Sequence, residues 1–218
     1  MVKDLMTIED TIITDLEEIH RISGIAGLRK MHIDEMVGDD WKVLNRYIAL
    51  ERFGRIGYVD EVIYLPSDEK KFQVGFKAKE GSSVLPIDTH ENLYFAKIFA
   101  YHGRFLGLFA AGGGIKNGES PEDAGRRELE EELGITFKKM INLGIHVPIP
   151  GVIDCKQHMY AAVGEIKVGE QKLGVTEKNL TREIMDIREA YCVAMDPYQK
   201  IFDMQTKCAV FQVFNLYN

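Results

Sequence analysis

The order of hydrophobic periodicities along this chain predicts an α/β (α+β) protein, a mixed sheet combined with helices. Three observations carry that expectation. A helix with marked ends covers residues 121–133, runs rich in β-branched and aromatic residues lie on both sides of it, and a closing helical segment runs from about Pro197 to Phe214. A chain of 218 residues can bury one sizeable core and carry a small additional element beside it.

At the N-terminus, Ile8, Ile12, Leu16, Ile19 and Ile22 recur at three- and four-residue steps with acids between them, which predicts an amphipathic helix over residues 7–23. Its apolar stripe needs a partner, and residues 1–44 are read as a helical extension to a main domain at residues 45–218. After the polar turn GDD at residues 38–40, the segments VLNRYIALERF, YVDEVIYLP and FQVGFKA read as strands broken by Gly, Pro and charged turns. NLYFAKIFAYHGRFLGLFAAGG adds two strands around a His102-Gly103 turn, and the second runs directly into the marked helix. That helix has Ser120 as N-cap, Pro121 at its first position, Asp123 placed to complete a capping box, and Gly134 as its stop. Beyond it come a strand near Asn142 to Val147, another near Gln157 to Val168, a charged loop LGVTEKNLTRE, a strand near Ile187 to Met195, and the closing helix. There is no internal repeat and no low-complexity linker.

Composition narrows the function classes. Lys and Arg number 27 against 34 Asp and Glu, a mildly acidic balance that disfavours nucleic-acid binding, which relies on basic faces. No stretch approaches the roughly 18 apolar residues of a membrane span, and the acid-rich start lacks the apolar core of a signal peptide. Cys155, Cys192 and Cys208 are odd in number and form no CxxC pair, as expected of reduced thiols in a cytoplasmic protein.

The chemistry concentrates in GGIKNGESPEDAGRRELEEELGI, residues 113–135. Glu128 has Glu131 and Glu132 at i+3 and i+4, so three carboxylates project from one helix face, and Glu119 joins them from the preceding turn. Such crowding is relieved by a hard divalent cation, Mg²⁺ or Mn²⁺, which takes oxygen ligands. Arg127, beside Glu128 and four residues before Glu131, is placed to orient a carboxylate. An isolated EExxE is usually a solvated helix face. Here nine positions are defined at once, and a chance match falls well below about one in a million.

Those nine positions, G-x5-E-x7-R-E-U-x-E-E-x-G-U with U a bulky aliphatic, resemble the Nudix box without gap or substitution. The resemblance covers roughly residues 45–215 and implies the Nudix fold, a mixed sheet sandwiched between helices. It implies Mg²⁺-dependent cleavage of a diphosphate bond, with Mn²⁺ able to substitute. Glu128, Glu131 and Glu132 would be the metal ligands, with Glu119 and the Gly112 carbonyl contributing. Glu131 and Arg127 would serve in catalysis, and Gly113 in substrate binding.

Among Nudix proteins the chain looks most like the ADP-ribose or nucleotide-sugar pyrophosphatases. HVPIPGVID places Pro150 at the position of that branch's downstream proline, 16 residues after Gly134, and so assigns it to substrate binding. The stretch TREIMDIREAYCVAMDPYQKIFDMQT resembles the branch's C-terminal part. By that match Glu183 would be the loop carboxylate acting as general base, supported by Asp186 and Arg188, with Asp154 and Glu165 as fallbacks. Phe53, Tyr58 and Tyr94 are the aromatics available to stack a base. The N-terminal helix would be a dimerisation element, giving a homodimer that binds a small nucleotide and neither nucleic acid nor membrane. One departure stands out: the branch's E-L-P-A-G before the box is Phe109, Ala110, Ala111, Gly112, Gly113 here, nearer the P-G-G of triphosphate-cleaving relatives. A nucleoside triphosphate or dinucleoside polyphosphate hydrolase is therefore the alternative, and a catalytically silent nucleotide sensor the second. Isomerisation of isopentenyl diphosphate lacks its cysteine and glutamate pair.

Overall fold

The structure, a computed structural model, describes residues 29–52, 55–100, 104–196 and 203–217. The chain divides into two compact units, residues 1–78 and 79–218. In the first, four antiparallel strands pair in chain order: β1 (Arg29–Val37), β2 (Trp41–Arg52), β3 (Arg55–Tyr64) and β4 (Glu69–Lys77). Three were expected; RKMHIDEMV is an additional one. Gly38, at φ 65°, begins the polar turn between β1 and β2. Asp60, only 7% exposed, takes two hydrogen bonds of 2.7 Å from the Arg46 guanidinium, which also lies 4.0 Å from the Tyr58 ring centroid. The bidentate pairing is what makes the burial of that carboxylate tolerable.

The helix expected over residues 7–23 and the aromatic Phe53 lie outside the described residues. The described part of the 1–44 extension is strand and turn, and the expected boundary after residue 44 falls inside β2.

The second unit holds β5 (Gly81–Ile87), β6 (Asn92–Ala100), β7 (Phe105–Phe109), β8 (Ala111–Gly114), α1 (Pro121–Leu133), β9 (Ile135–His146), the two-residue β10 (Ile153–Asp154), β11 (Gln157–Val168), β12 (Thr181–Asp186), α2 (Ile187–Met195) and α3 (Met204–Tyr217). Its sheet runs β12-β6-β5-β11-β9, with β7 beside β6 and β8 beside β5. The β5–β11 pair is parallel and the others antiparallel, so the sheet is mixed.

Alternation along β5 and β6 splits the core in two. Val84, Tyr94 and Ala96 face α1 and pack with Leu129 and Leu133. Leu85, Ile87, Leu93 and Phe95 face the other way and pack with Ala190, Ala194, Ala209, Val210 and Val213 of α2 and α3. The sheet is thus sandwiched between helices, as the Nudix fold requires.

Two elements differ from expectation. Ile187 to Met195 is helix α2, not a strand: Asp186 caps it by accepting from the Arg188 N–H at 2.8 Å, and Ile187, Ala190 and Ala194 are buried at helical spacing. Its β-branched and aromatic residues suggested a strand, but position three to four residues apart decided the outcome. The sheet instead takes Thr181–Asp186, the tail of the expected loop and its continuation, against β6. In addition, β9 begins at Ile135, immediately after α1 stops, rather than near Asn142. The His102-Gly103 turn and the expected start of the last helix at Pro197 lie outside the described residues.

Candidate active site

The sheet delivers α1 through β7, β8 and a short loop. Ser120, extended at φ −75° and ψ 155°, accepts from the Asp123 N–H at 3.1 Å, and its hydroxyl donates to the Asp123 carboxylate at 2.6 Å. Gly134 closes the helix in the left-handed region at φ 63°, donating its N–H to the Glu130 and Leu129 carbonyls. Gly125 lets the helix approach β5 closely: a Cβ there would stand 2.7 Å from Val84 Cγ2 and 2.9 Å from Ser82 Oγ. Ala124, Leu129 and Leu133 are buried with it, and the same seating carries the Glu132 side chain down until only 8% of the residue is exposed.

Arg127 is the hub of the remaining carboxylates. Its guanidinium donates to both oxygens of Glu119 at 2.8 and 3.0 Å, to Glu128 at 2.6 Å, to Glu131 at 3.2 Å and to the Gly114 carbonyl at 3.1 Å. The Arg127 fork, helped by the Lys116 N–H, holds the Glu119 carboxyl down at about 2. The same bonds, led by those to Glu119, push the guanidinium's own value upward. Burial pushes Glu128 up despite Arg127, and the charges of Glu131 and Glu177 act in the same direction. Gly113 gives Glu128 its room, because a Cβ on Gly113 would stand 2.4 Å from Glu128 Oε1.

Glu132 accepts a 2.9 Å hydrogen bond from the Gly112 N–H. Burial drives its carboxyl up to about 8; the Gly112 bond opposes this, while the charges of Glu128, Glu177 and Glu131 add to it. Gly112 has space for no side chain, since a Cβ would meet Ser83 Oγ at 2.3 Å. Beside Glu132 opens a cavity of about 220 Å³ lined by Ser83, Gly112, Leu180, Asp203, Gln205 and Thr206, among others.

The donor set suits a hard cation: Glu119, Glu128 and Glu131 meet on one guanidinium, and the charges of Glu131 and Glu177 act on both Glu128 and Glu132. Among the described residues no three acidic, His or Cys side chains already converge at ligand spacing. Glu119, Glu128 and Glu131 are gathered on Arg127 instead, and a buried carboxyl held near 8 is one whose ionisation a divalent cation would favour.

Seven of the expected site residues are therefore together: Gly112, Gly113, Glu119, Arg127, Glu128, Glu131 and Glu132. Gly112 joins through its N–H, donated to Glu132. Glu183 is not in a loop but in β12, ion-paired with Lys97 at 2.9 Å. Its neighbour Arg182 reaches the end of α1, so Glu183 projects to the opposite face of the strand. Asp186 and Arg188 serve α2, the first as its cap and the second by pairing with Glu91 at 2.9 Å. Pro150 is exposed in the loop after β9, and its neighbour Pro148 lines a cavity of about 390 Å³ with His146, Asp203 and Cys208. Tyr94 is buried with its hydroxyl donated to Asp88 at 3.0 Å, and Tyr58 lies beneath Arg46. The residue missed is Glu177, half-buried at the end of a 3-10 turn (Val175–Glu177) in the charged loop. Its signal was the Gly174-x-x-Glu177 spacing, for the Gly174 N–H donates to the Glu177 carboxylate at 3.0 Å.

The NUDIX domain model matches residues 78–201. An ADP-ribose pyrophosphatase of Bacillus subtilis (strain 168) is 31% identical over 153 residues, covering 70% of this chain and 81% of that protein. A solved structure described as the crystal structure of an ADP compounds hydrolase superposes with a TM-score of 0.69 at 16% identity, over 84% of this chain and 96% of that one.

Proposed function

The chain belongs to the NUDIX domain family and is a pyrophosphohydrolase, and from that premise we propose that it cleaves, with Mg²⁺, the diphosphate bond of a nucleoside diphosphate linked to a second moiety. ADP-ribose or a nucleotide sugar is the substrate, and the products are a nucleoside monophosphate and the phosphorylated moiety. The observation that carries this reading is the buried Glu132 carboxyl, fixed by the Gly112 N–H and surrounded by Glu128, Glu131 and Glu177. The B. subtilis relative's name supports the substrate class.

Glu128, Glu131 and Glu132 would hold the metal, with Glu119 supporting them through Arg127. When bound, Mg²⁺ supplies charge neutralisation for the diphosphate and eases deprotonation of the attacking water. Arg127 fixes where the carboxylates stand, and with a cation held among them it would remain a second positive charge at the site. A carboxylate must accept the water's proton. Glu183 was the expected base, but its pairing with Lys97 and its side of β12 favour Glu177, whose charge already acts on Glu128 and Glu132. Among the described residues no helix is long and apolar enough to cross a membrane. We take the protein to act as a cytoplasmic homodimer, a reading that sedimentation of the purified chain tests.

The substrate is tested by assaying ADP-ribose, nucleotide sugars, dinucleoside polyphosphates and nucleoside triphosphates with Mg²⁺ and with Mn²⁺. Metal-dependent release of AMP from ADP-ribose, lost on chelation, is expected. Turnover confined to triphosphates or dinucleoside polyphosphates would transfer the assignment to those substrates, as the Ala111-Gly112-Gly113 segment allows. Tight binding without turnover would indicate a sensor.

A further inference from the structure

The end of α1 is held more completely than helix ends usually are. An α-helix leaves its last four carbonyls without intrahelical partners. Here Glu130 O accepts from the Gly134 N–H at 3.0 Å, Glu131 O from the Lys172 N–H at 2.7 Å, and Glu132 O from Gln171 Nε2 at 2.6 Å. Leu133 O accepts from Arg182 twice, at 2.9 Å from Nε and 2.5 Å from Nη2, and the same Nη2 donates to Gly169 O at 3.2 Å. Gly134 O accepts from the Gly169 N–H at 2.7 Å. Residues 169–172 thus form a strap across the last turn of α1, and one guanidinium from β12 binds both strap and helix.

We propose that Arg182 is a positioning residue for the reaction: by tying the last turn of α1 to the strap, it sets Glu131 and Glu132 against Glu177. The strap leads within a few residues to the Gly174–Glu177 turn, so its near end holds the backbone of the two metal-side carboxylates and its far end carries the third. The strap lies close against the helix stop, where a Cβ on Gly134 would stand 2.5 Å from Gly169 O and 2.8 Å from Glu170 O, so only glycine fits there. Arg182 itself is registered by β12 against Ala96 of β6, which makes the sheet the fixed reference for the whole arrangement. A cation at a helix C-terminus also complements the helix dipole, a purely stabilising contribution that the test must separate from positioning.

This inference rests on the metal-dependent reading above, and its test therefore measures metal binding directly. Wild type, Arg182→Lys and Arg182→Gln are compared for Mn²⁺ affinity by calorimetry and electron paramagnetic resonance, for Tm, and for kcat and KM across pH. With Arg182→Gln, Mn²⁺ binding is expected to weaken roughly 10- to 100-fold, with a kcat loss of similar size and KM changed less than about threefold, as for other groups that orient metal ligands. Arg182→Lys, which keeps the charge and loses the two-pronged grip, is expected to recover only part of the loss. A lower Tm with Mn²⁺ affinity and kcat unchanged below that temperature would overturn the proposal and leave Arg182 a stabilising cap. If Arg182→Gln does not fold, Gln171→Ala, which removes one strap bond to Glu132 O, carries the same expectation. A wild-type chain that binds no Mn²⁺ overturns both readings, whereas Mn²⁺ binding indifferent to these variants overturns this one alone.

Discussion

Gly113 and Glu128 are in a contact that only glycine permits, for a Cβ on Gly113 would stand 2.4 Å from Glu128 Oε1. Because φ at Gly113 is not in the left-handed region, alanine there is not resisted by the backbone; the carboxylate must move instead. Gly113→Ala is therefore expected to leave Tm within a few degrees and to lower kcat at least about tenfold through a misplaced metal ligand. Unchanged turnover would separate Glu128 from the reaction.

Glu132 makes stability depend on pH in a specific direction. Its folded carboxyl is held at about 8 against an ordinary 4.5, so between those values the folded protein keeps a proton that the unfolded chain has released. Glu132's contribution to the stability of the metal-free protein is fully present below the lower value and is lost as pH rises toward the upper one. Thermal melts from pH 5 to 8.5 should show this decline, with Mg²⁺ raising Tm more at the alkaline end. Glu132→Gln should flatten the decline while lowering kcat about a hundredfold or more.

Arg127 holds three carboxylates at once, a task for a planar fork rather than a point charge. Arg127→Lys is expected to lower kcat about 10- to 100-fold while the far-ultraviolet spectrum is retained. Activity equal to wild type would show that lysine suffices.

The two candidate bases give opposite expectations. Glu177→Gln should lower kcat about 10²- to 10⁴-fold, whereas Glu183→Gln should change kcat less than about threefold and act mainly through its lost pair with Lys97. The reverse result would return the role to Glu183.

Asp88 tests the sheet rather than the site. Burial pushes its carboxyl up, yet bonds from the Asn92 and His90 N–H groups, the Asn92 amide and the Tyr94 hydroxyl outweigh this and hold it below the ordinary value. Its contribution is present above an ordinary carboxylate pKa and is lost as pH falls through the lowered one. Asp88→Ala should cost about 2 to 4 kcal/mol in denaturant melts at neutral pH by leaving those donors unpaired.

Much of the site was legible because its residues lie within one helix and the turn before it, where spacing translates directly into geometry. Ser120, Pro121 and Gly134 fixed the ends of α1, and i+3 and i+4 steps then put Glu128, Glu131 and Glu132 on one face. What local spacing could not supply was the partner from far along the chain. Glu177 and Glu183 lie in the same charged stretch, and choosing between them depends on which residues enter β12 and on which side of it each falls. The α2 segment misled for a related reason: Ile187, Tyr191 and Val193 have strand-forming side chains, but Asp186 caps a helix and burial follows a helical period. In the first unit, β-branched and aromatic runs broken by Gly, Pro and charged turns made β2 to β4 readable, whereas the mixed, mostly exposed RKMHIDEMV gave no such signal.

The absence of one methyl group at Gly125 sets a vertical scale for this enzyme. With α1 lying against Val84 and Ser82, a side chain there would lift the whole helix from the sheet and raise Glu132 toward water as a rigid passenger. The acidity of a carboxylate two turns, about 10 Å, along the helix is thereby governed by the thickness of the helix–sheet layer. Tuning this site does not require touching its ligands: a shim beneath the helix would change how tightly it holds a proton, and so how readily it yields that proton to a cation.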